Sequence, residues 1–167
     1  MTTRPARICL TLLALAALAG CGPKFVRERV YDKPNMRVEL RHQKSGDAPV
    51  ARGYSHPATI ADVRIAHILA SLSYEDDEGN RKPAIRAQFV YELGDAISAA
   101  LAKAGPDDEV AAAVFPEDRR LQIFTDTRVT AFRLFVQGEQ MRVDFYAVEQ
   151  ALDPDARRAG TREYEIP

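Results

Sequence analysis

The chain has 167 residues, 46% hydrophobic and 28% charged, and its 23 Lys and Arg nearly balance its 24 Asp and Glu, for a formal net charge of −1. Without a basic excess, no nucleic-acid partner is expected. Both cysteines, Cys9 and Cys21, fall in the first 21 residues. The rest of the chain therefore has no disulfide, no cysteine-based zinc site and no cysteine nucleophile, and must be held by its core.

Arg4 and Arg7 precede an apolar run from Ile8 to Ala19 that only Thr11 interrupts. A spanning helix needs ~20 apolar residues, so this run has the length of a secretory signal core instead. It closes on small residues and a thiol, Leu18-Ala19-Gly20-Cys21. That tetrapeptide resembles the lipobox of bacterial lipoproteins. The resemblance implies cleavage between Gly20 and Cys21, a diacylglyceryl thioether on Cys21, and acylation of its new amino group. Two or three acyl chains, at ~0.8 kcal/mol per buried CH₂, make a stable anchor. Gly22 stands where enterobacterial lipoproteins retained in the inner membrane carry aspartate. The resemblance thus implies the periplasmic face of the outer membrane, in a host with two membranes.

Loss of residues 1–20 leaves 147 residues, a single domain's worth. Arg4 and Arg7 leave with the signal, so 21 basic side chains then face 24 acidic ones. Residues 21–35, bracketed by Pro23 and Pro34 and filled with charge, read as a lipidated tether that holds the domain off the bilayer. Residues 36–152 read as the domain. Met36, Val38 and Leu40 alternate with Arg37, Glu39 and Arg41, the pattern of a half-buried strand. Residues 43–57 read as loop.

Thr59 is placed to cap a helix with Asp62 at its third position, and Ile65, Ile68, Leu69 and Leu72 form its apolar stripe. This helix is expected to end near Ala70, with 71–75 turning extended. A charged loop, 75–83, leads into a second helix. Its apolar face carries Phe89, Val90, Leu93, Ala96, Ile97, Ala100, Leu101 and Ala104, and Gly105 and Pro106 are expected to stop it. Gly94 inside it costs up to ~1 kcal/mol relative to alanine, which a close packing contact would explain.

Strands are expected at Val110–Phe115, from Leu121–Phe124, and at Val129–Gln137 and Gln140–Val148. The last two make a hairpin around Gly138-Glu139, with glycine where a type II′ turn needs it. In that register Val136 faces Met141, Leu134 faces Val143 and Phe132 faces Phe145, all on one side. Arg133 faces Asp144 on the other, and a one-residue slip would lose both matches. Residues 153–167 read as a loose C-terminal tail. The expected fold class is α+β: a mainly antiparallel sheet with two helices, drawn from 59–104, packed on one face.

Chemistry is sparse. No nucleotide-binding glycine loop, serine elbow or zinc-protease motif occurs. His42, His56 and His67 lack metal-ligand spacing. Aligning the acidic run 75–78 as a calcium loop on Gly79 puts Tyr74 at the first ligand and Ile85 at the last, so a solvated turn is the better reading. Arg119-Arg120 and Arg157-Arg158 are isolated pairs, and the six tyrosines are scattered. Ser55-His56-Pro57-Ala58-Thr59-Ile60 and the two helices after it resemble bacterial lipoproteins without an assigned function, and that resemblance implies no site residues. The expectation is a non-enzymatic envelope lipoprotein, an accessory or assembly subunit binding another envelope protein. It needs no metal or cofactor beyond the lipid on Cys21. The alternative is a periplasmic binding module for peptidoglycan, glycan or a small ligand. A hydrolase is the third reading.

Overall fold

The structure, a computed structural model, describes residues 24–120, 124–152, 161 and 164–167. Gly20 and Cys21 lie outside them. The described chain runs β1 (Lys24–Lys33), β2 (Met36–Ser45), β3 (Ala48–Pro49), α1 (Asp62–Ser71), β4 (Ser73–Glu75), β5 (Arg81–Pro83), α2 (Ala87–Lys103), β6 (Glu109–Val114), β7 (Glu117–Arg120), β8 (Phe124–Gln137) and β9 (Gln140–Ala151). The fold is α+β with a mainly antiparallel sheet. Across that sheet the order is β1, β2, β6, β8, β9, every neighbour antiparallel.

β6 and β7 behave as one strand broken at Pro116. Val114 lies opposite Thr130 and Glu117 opposite Thr127, so the register of β8 runs unbroken past the break. Proline has no N–H to give the ladder. Its carbonyl still accepts from Arg128 N at 3.0 Å.

Both helices cover one face. Ile65 and Leu69 of α1 and Phe89, Leu93, Ile97 and Leu101 of α2 close over Met36, Val38, Val110, Ala112, Phe132 and Leu134. The α1–α2 crossing explains Gly94. A Cβ there would lie 2.7 Å from the Asp62 carbonyl oxygen and 3.1 Å from Ala66 Cβ. The hairpin adopts the expected register: Val136–Met141, Leu134–Val143, Phe132–Phe145 and Arg133–Asp144 are partners. Gly138 has φ +62°, the positive value its turn position demands.

Several expectations are corrected. Lys24–Lys33, read as tether, is an edge strand. A bulge between Arg29 and Tyr31 lets the successive residues Val30 and Tyr31 both pack on the core, which hides the strand's period. Thr59 does not cap α1. Ala61 holds the cap position without a side-chain bond, and Ser98 Oγ donates instead to the Ile60 carbonyl at 2.7 Å. Gly105 is not a left-handed stop. Ala104 caps α2 in an extended conformation, and Gly105 N–H donates to Asp108 Oδ2 at 2.8 Å. The strand expected from Leu121 divides into β7 and β8, with 121–123 outside the described residues. The chain end, read as loose, is docked where it is described, and Ile166 is fully buried.

Candidate functional site

The second face of the sheet is covered over its central strands. Arg37, Glu39 and Arg41 alternate with the core residues of β2 as expected, yet all three are buried. The chain end roofs them. Arg37 donates to the carbonyls of Tyr164 at 2.5 Å and Thr161 at 2.8 Å. Arg41 Nη1 donates to the Ile166 and Pro167 carbonyls at 3.0 and 2.5 Å. Beside this roof, Phe115, Val129, Ala131, Ala147, Leu152 and Ile166 form a second small core, with Tyr164 edge-on to Phe115.

An ion ladder crosses four strands, β2, β6, β8 and β9, on that face. Arg41 Nε donates to Glu109 Oε1 at 2.7 Å, Arg133 Nη1 to Glu109 Oε2 at 3.1 Å, and Arg133 Nε to Asp144 Oδ2 at 3.0 Å. Tyr146 O–H accepts from Arg41 at 2.5 Å. Glu39 sits 3.3 Å from Arg27. Burial pushes the Glu39 carboxyl up, against the pull of Arg27, Arg41 and Arg37. Buried at Arg37, Glu39, Arg41 and Glu109 and open to solvent at Asp144, this array holds the chain end through Arg37 and Arg41.

The histidines do not converge. His42 Nδ1 lies 3.0 Å from Asp108 Oδ1. Buried His56 accepts the Val136 N–H on Nε2 at 3.0 Å, which leaves the ring proton on Nδ1. Burial lowers its pKa, opposed by the backbone at Asp108 and Gly105. His67 is exposed on α1 beside a shallow hollow formed with Ala70, Pro83, Val90 and Tyr91. Among the described residues, no group of three His, Cys, Asp or Glu could hold a metal.

The acidic run closes the β4–β5 hairpin. Asp76 Oδ1 accepts the N–H groups of Glu78 and Asn80 at 3.0 and 2.8 Å, and Oδ2 pairs with Lys82 at 2.6 Å. Lys82, then these N–H groups, hold its carboxyl down at about 2. The side chains of Arg119 and Arg120 lie outside the described residues, as do Arg157 and Arg158.

Two features escaped the sequence reading. Glu149 sits at φ +47°, where the register of β9 shifts, and grips Arg86 through both oxygens at 2.9 and 2.5 Å. Its N–H donates to Thr130 Oγ1 and its carbonyl accepts from Arg128, which holds the strained backbone in place. No local composition signals such a pair. The second is a hollow of 510 Å³ between α1 and the tip of the β8–β9 hairpin. Ile60, Ala61, Ile68, Val136 and Met141 line it, with Arg64 and Glu139 at its polar edge.

That hollow adjoins an open strand. Among the described residues, β9 pairs only with β8. From Gln140 to Phe145 its register is regular, and Met141, Val143 and Phe145 are only partly buried on the helix side. β1, the opposite edge, is guarded: Lys24, Arg27, Glu28, Arg29, Asp32 and Lys33 crowd it, and the bulge twists it. Charge is thinner along Gln140–Phe145, and no proline or bulge interrupts it.

No protein-family model matches the chain, and no curated protein or solved structure matches it either.

Proposed function

We propose that this chain is a lipid-anchored envelope subunit that binds another envelope protein by accepting one of its strands along β9. The anchor reading rests on Leu18-Ala19-Gly20-Cys21, and in a host with two membranes Gly22 supports the periplasmic face of the outer membrane. The observation that carries the docking reading is the open, regular edge Gln140–Phe145 beside the apolar hollow under α1.

The two features act together. An added strand takes its affinity from main-chain hydrogen bonds and its specificity from pockets that receive alternate side chains. A residue paired beside Met141 shares its face of the sheet and so lies on the side of Ile60 and Ile68. An extended segment with alternating apolar residues fits, and no bond-making chemistry is assigned to this edge.

In-cell crosslinking tests this. A photoreactive residue at Arg142 or Gln140 should capture one envelope protein, recovered by affinity purification of the lipidated chain and identified by mass. The same probe at Arg29 on β1 should not. Silence at β9 with the protein recovered alone contradicts strand docking. Recovery with peptidoglycan fragments or a small ligand moves the hollow to the alternative reading, a binding module.

A further inference from the structure

The anchor and the sheet together define which end of the domain meets the membrane. The inference rests on the lipobox reading. Only Gly22 and Pro23 separate Cys21 from Lys24, the first residue of β1. Even fully extended, a chain spans no more than about 3.6 Å per residue, so Lys24 cannot lie further than ~11 Å from the lipidated sulfur's own residue. The diacylglyceryl group places that residue at the bilayer interface. A domain on so short a lead is seated on the membrane.

Lys24 pairs with Lys44 at the end of β2, Arg41 with Glu109 at the start of β6, Val110 with Leu134 near the end of β8, and Gln137 with Gln140 at the start of β9. The β2–β3 turn, residues 50–56 and the Gly138-Glu139 turn therefore share one pole with Lys24. Tyr54 N–H bonds to the Pro106 carbonyl, and Ser55 N–H to that of Val136, which fastens the loop across this pole.

The surface there suits a headgroup layer. Lys24 and Arg52 are exposed and Lys44 half-exposed. Val26, Ala48, Pro49 and Ala51 are exposed among them. Two of the nearby acids are turned to the protein: Asp107 accepts the Arg52 N–H at 2.8 Å, and Asp108 takes the Gly105 N–H and faces His42. Asp47 and Glu139 remain outward.

We infer that this pole, with Lys24, the β2–β3 turn and the Gly138-Glu139 turn, rests on the phospholipid headgroups, so that the strands stand along the membrane normal. The turn at Pro34-Asn35, the end of β9 and the Arg86–Glu149 pair then face away from the bilayer. The ten residues of β1, at ~3.3 Å each, put the two poles on the order of 30 Å apart.

The full lipidated protein, reconstituted in phosphatidylethanolamine–phosphatidylglycerol vesicles, tests this orientation. Cys9 leaves with the signal and the Cys21 thiol is consumed, so each introduced cysteine is the only free thiol. A fluorophore is attached at Asp47→Cys or Gln140→Cys on the near pole, and at Asn35→Cys or Gln150→Cys on the far pole. Headgroup-spin-labelled lipid serves as a contact-range quencher. The near-pole labels should lose most of their emission and the far-pole labels almost none. Quenching at 47 and 35 together, with 140 and 150 bright, means that the domain lies on its β1 edge, and overturns the upright seat. Quenching at the far pole alone, or at no position, also overturns it. Intact mass of each preparation separates the two levels: acylated Cys21 with the wrong pattern refutes only the orientation, and unacylated Cys21 refutes the anchor and the orientation together.

Discussion

Two substitutions at the ion ladder separate burial from charge. Glu109 is almost wholly buried and takes hydrogen bonds from Arg41 and Arg133, whereas Asp144 is half-exposed and takes one bond from Arg133. Removing a partner from a buried pair strands the other charge and costs ~3–5 kcal/mol, against ~0.2–1 kcal/mol for an exposed cross-strand pair. Glu109→Ala should therefore lose several times the stability that Asp144→Ala loses in urea unfolding. Equal losses would show that Arg41 finds other compensation. Gly94→Ala reverses the usual helix rule. Alanine gains up to ~1 kcal/mol of helix propensity, but its Cβ meets a backbone carbonyl that cannot move aside, so a net loss of ~1–3 kcal/mol is expected, and a raised Tm would contradict the crossing geometry. His56 supplies a pH signature. Its folded pKa lies below 6.5, so as pH falls through 6.5 the unfolded chain takes up a proton that the folded chain refuses. This contribution to stability is complete above 6.5 and is lost as pH falls towards the folded pKa. Glu39 acts in the opposite sense: its raised pKa contributes stability below 4.5 that is lost as pH rises through the folded value. The difference in unfolding free energy between wild type and His56→Gln should decline from pH 7 towards 5, and a flat difference would mean that the ring protonates in place.

At the scale of elements, the hairpin shows what a sequence pattern can carry. Its register was legible because three independent demands agreed: apolar residues on one face, Arg133 opposite Asp144, and glycine at a turn position with positive φ. Gly138→Ala should cost ~1–2 kcal/mol, the price of a Cβ in the left-handed region, with the register unchanged by amide exchange. α2 was legible for a similar reason, its apolar face repeating over four turns. β1 was not, because the bulge at Val30 breaks its period and charge fills the rest. β2 was recognised as a strand but misjudged on its second face. Alternating Arg and Glu is the mark of solvent unless a distant segment covers them, and the cover comes from Thr161 and Tyr164–Pro167, more than a hundred residues away. The candidate site was hidden for the same reason. Ile68 and Met141 each read as core; only the pairing of β9 on one side and the short reach of α1 leave a hollow beside an open edge.

For the whole molecule, the proposed function puts both attachments on the sheet. β1 opens three residues after Cys21, and β9 lies at the other edge, across β2, β6 and β8. No helix among the described residues is long and apolar enough to cross a membrane. The proposal gives the bilayer to the acyl chains of Cys21 and the partner to β9. Cys21→Ser should leave an unprocessed precursor, and should abolish partner capture at β9 if the partner is met only at the membrane. The most direct test of the account is the intact mass of the chain extracted from membranes. The account predicts a protein that begins at Cys21 and carries diacylglyceryl and an amide-linked acyl chain. A chain that still begins at Met1, or one cut without lipid and recovered from the soluble fraction, would contradict it.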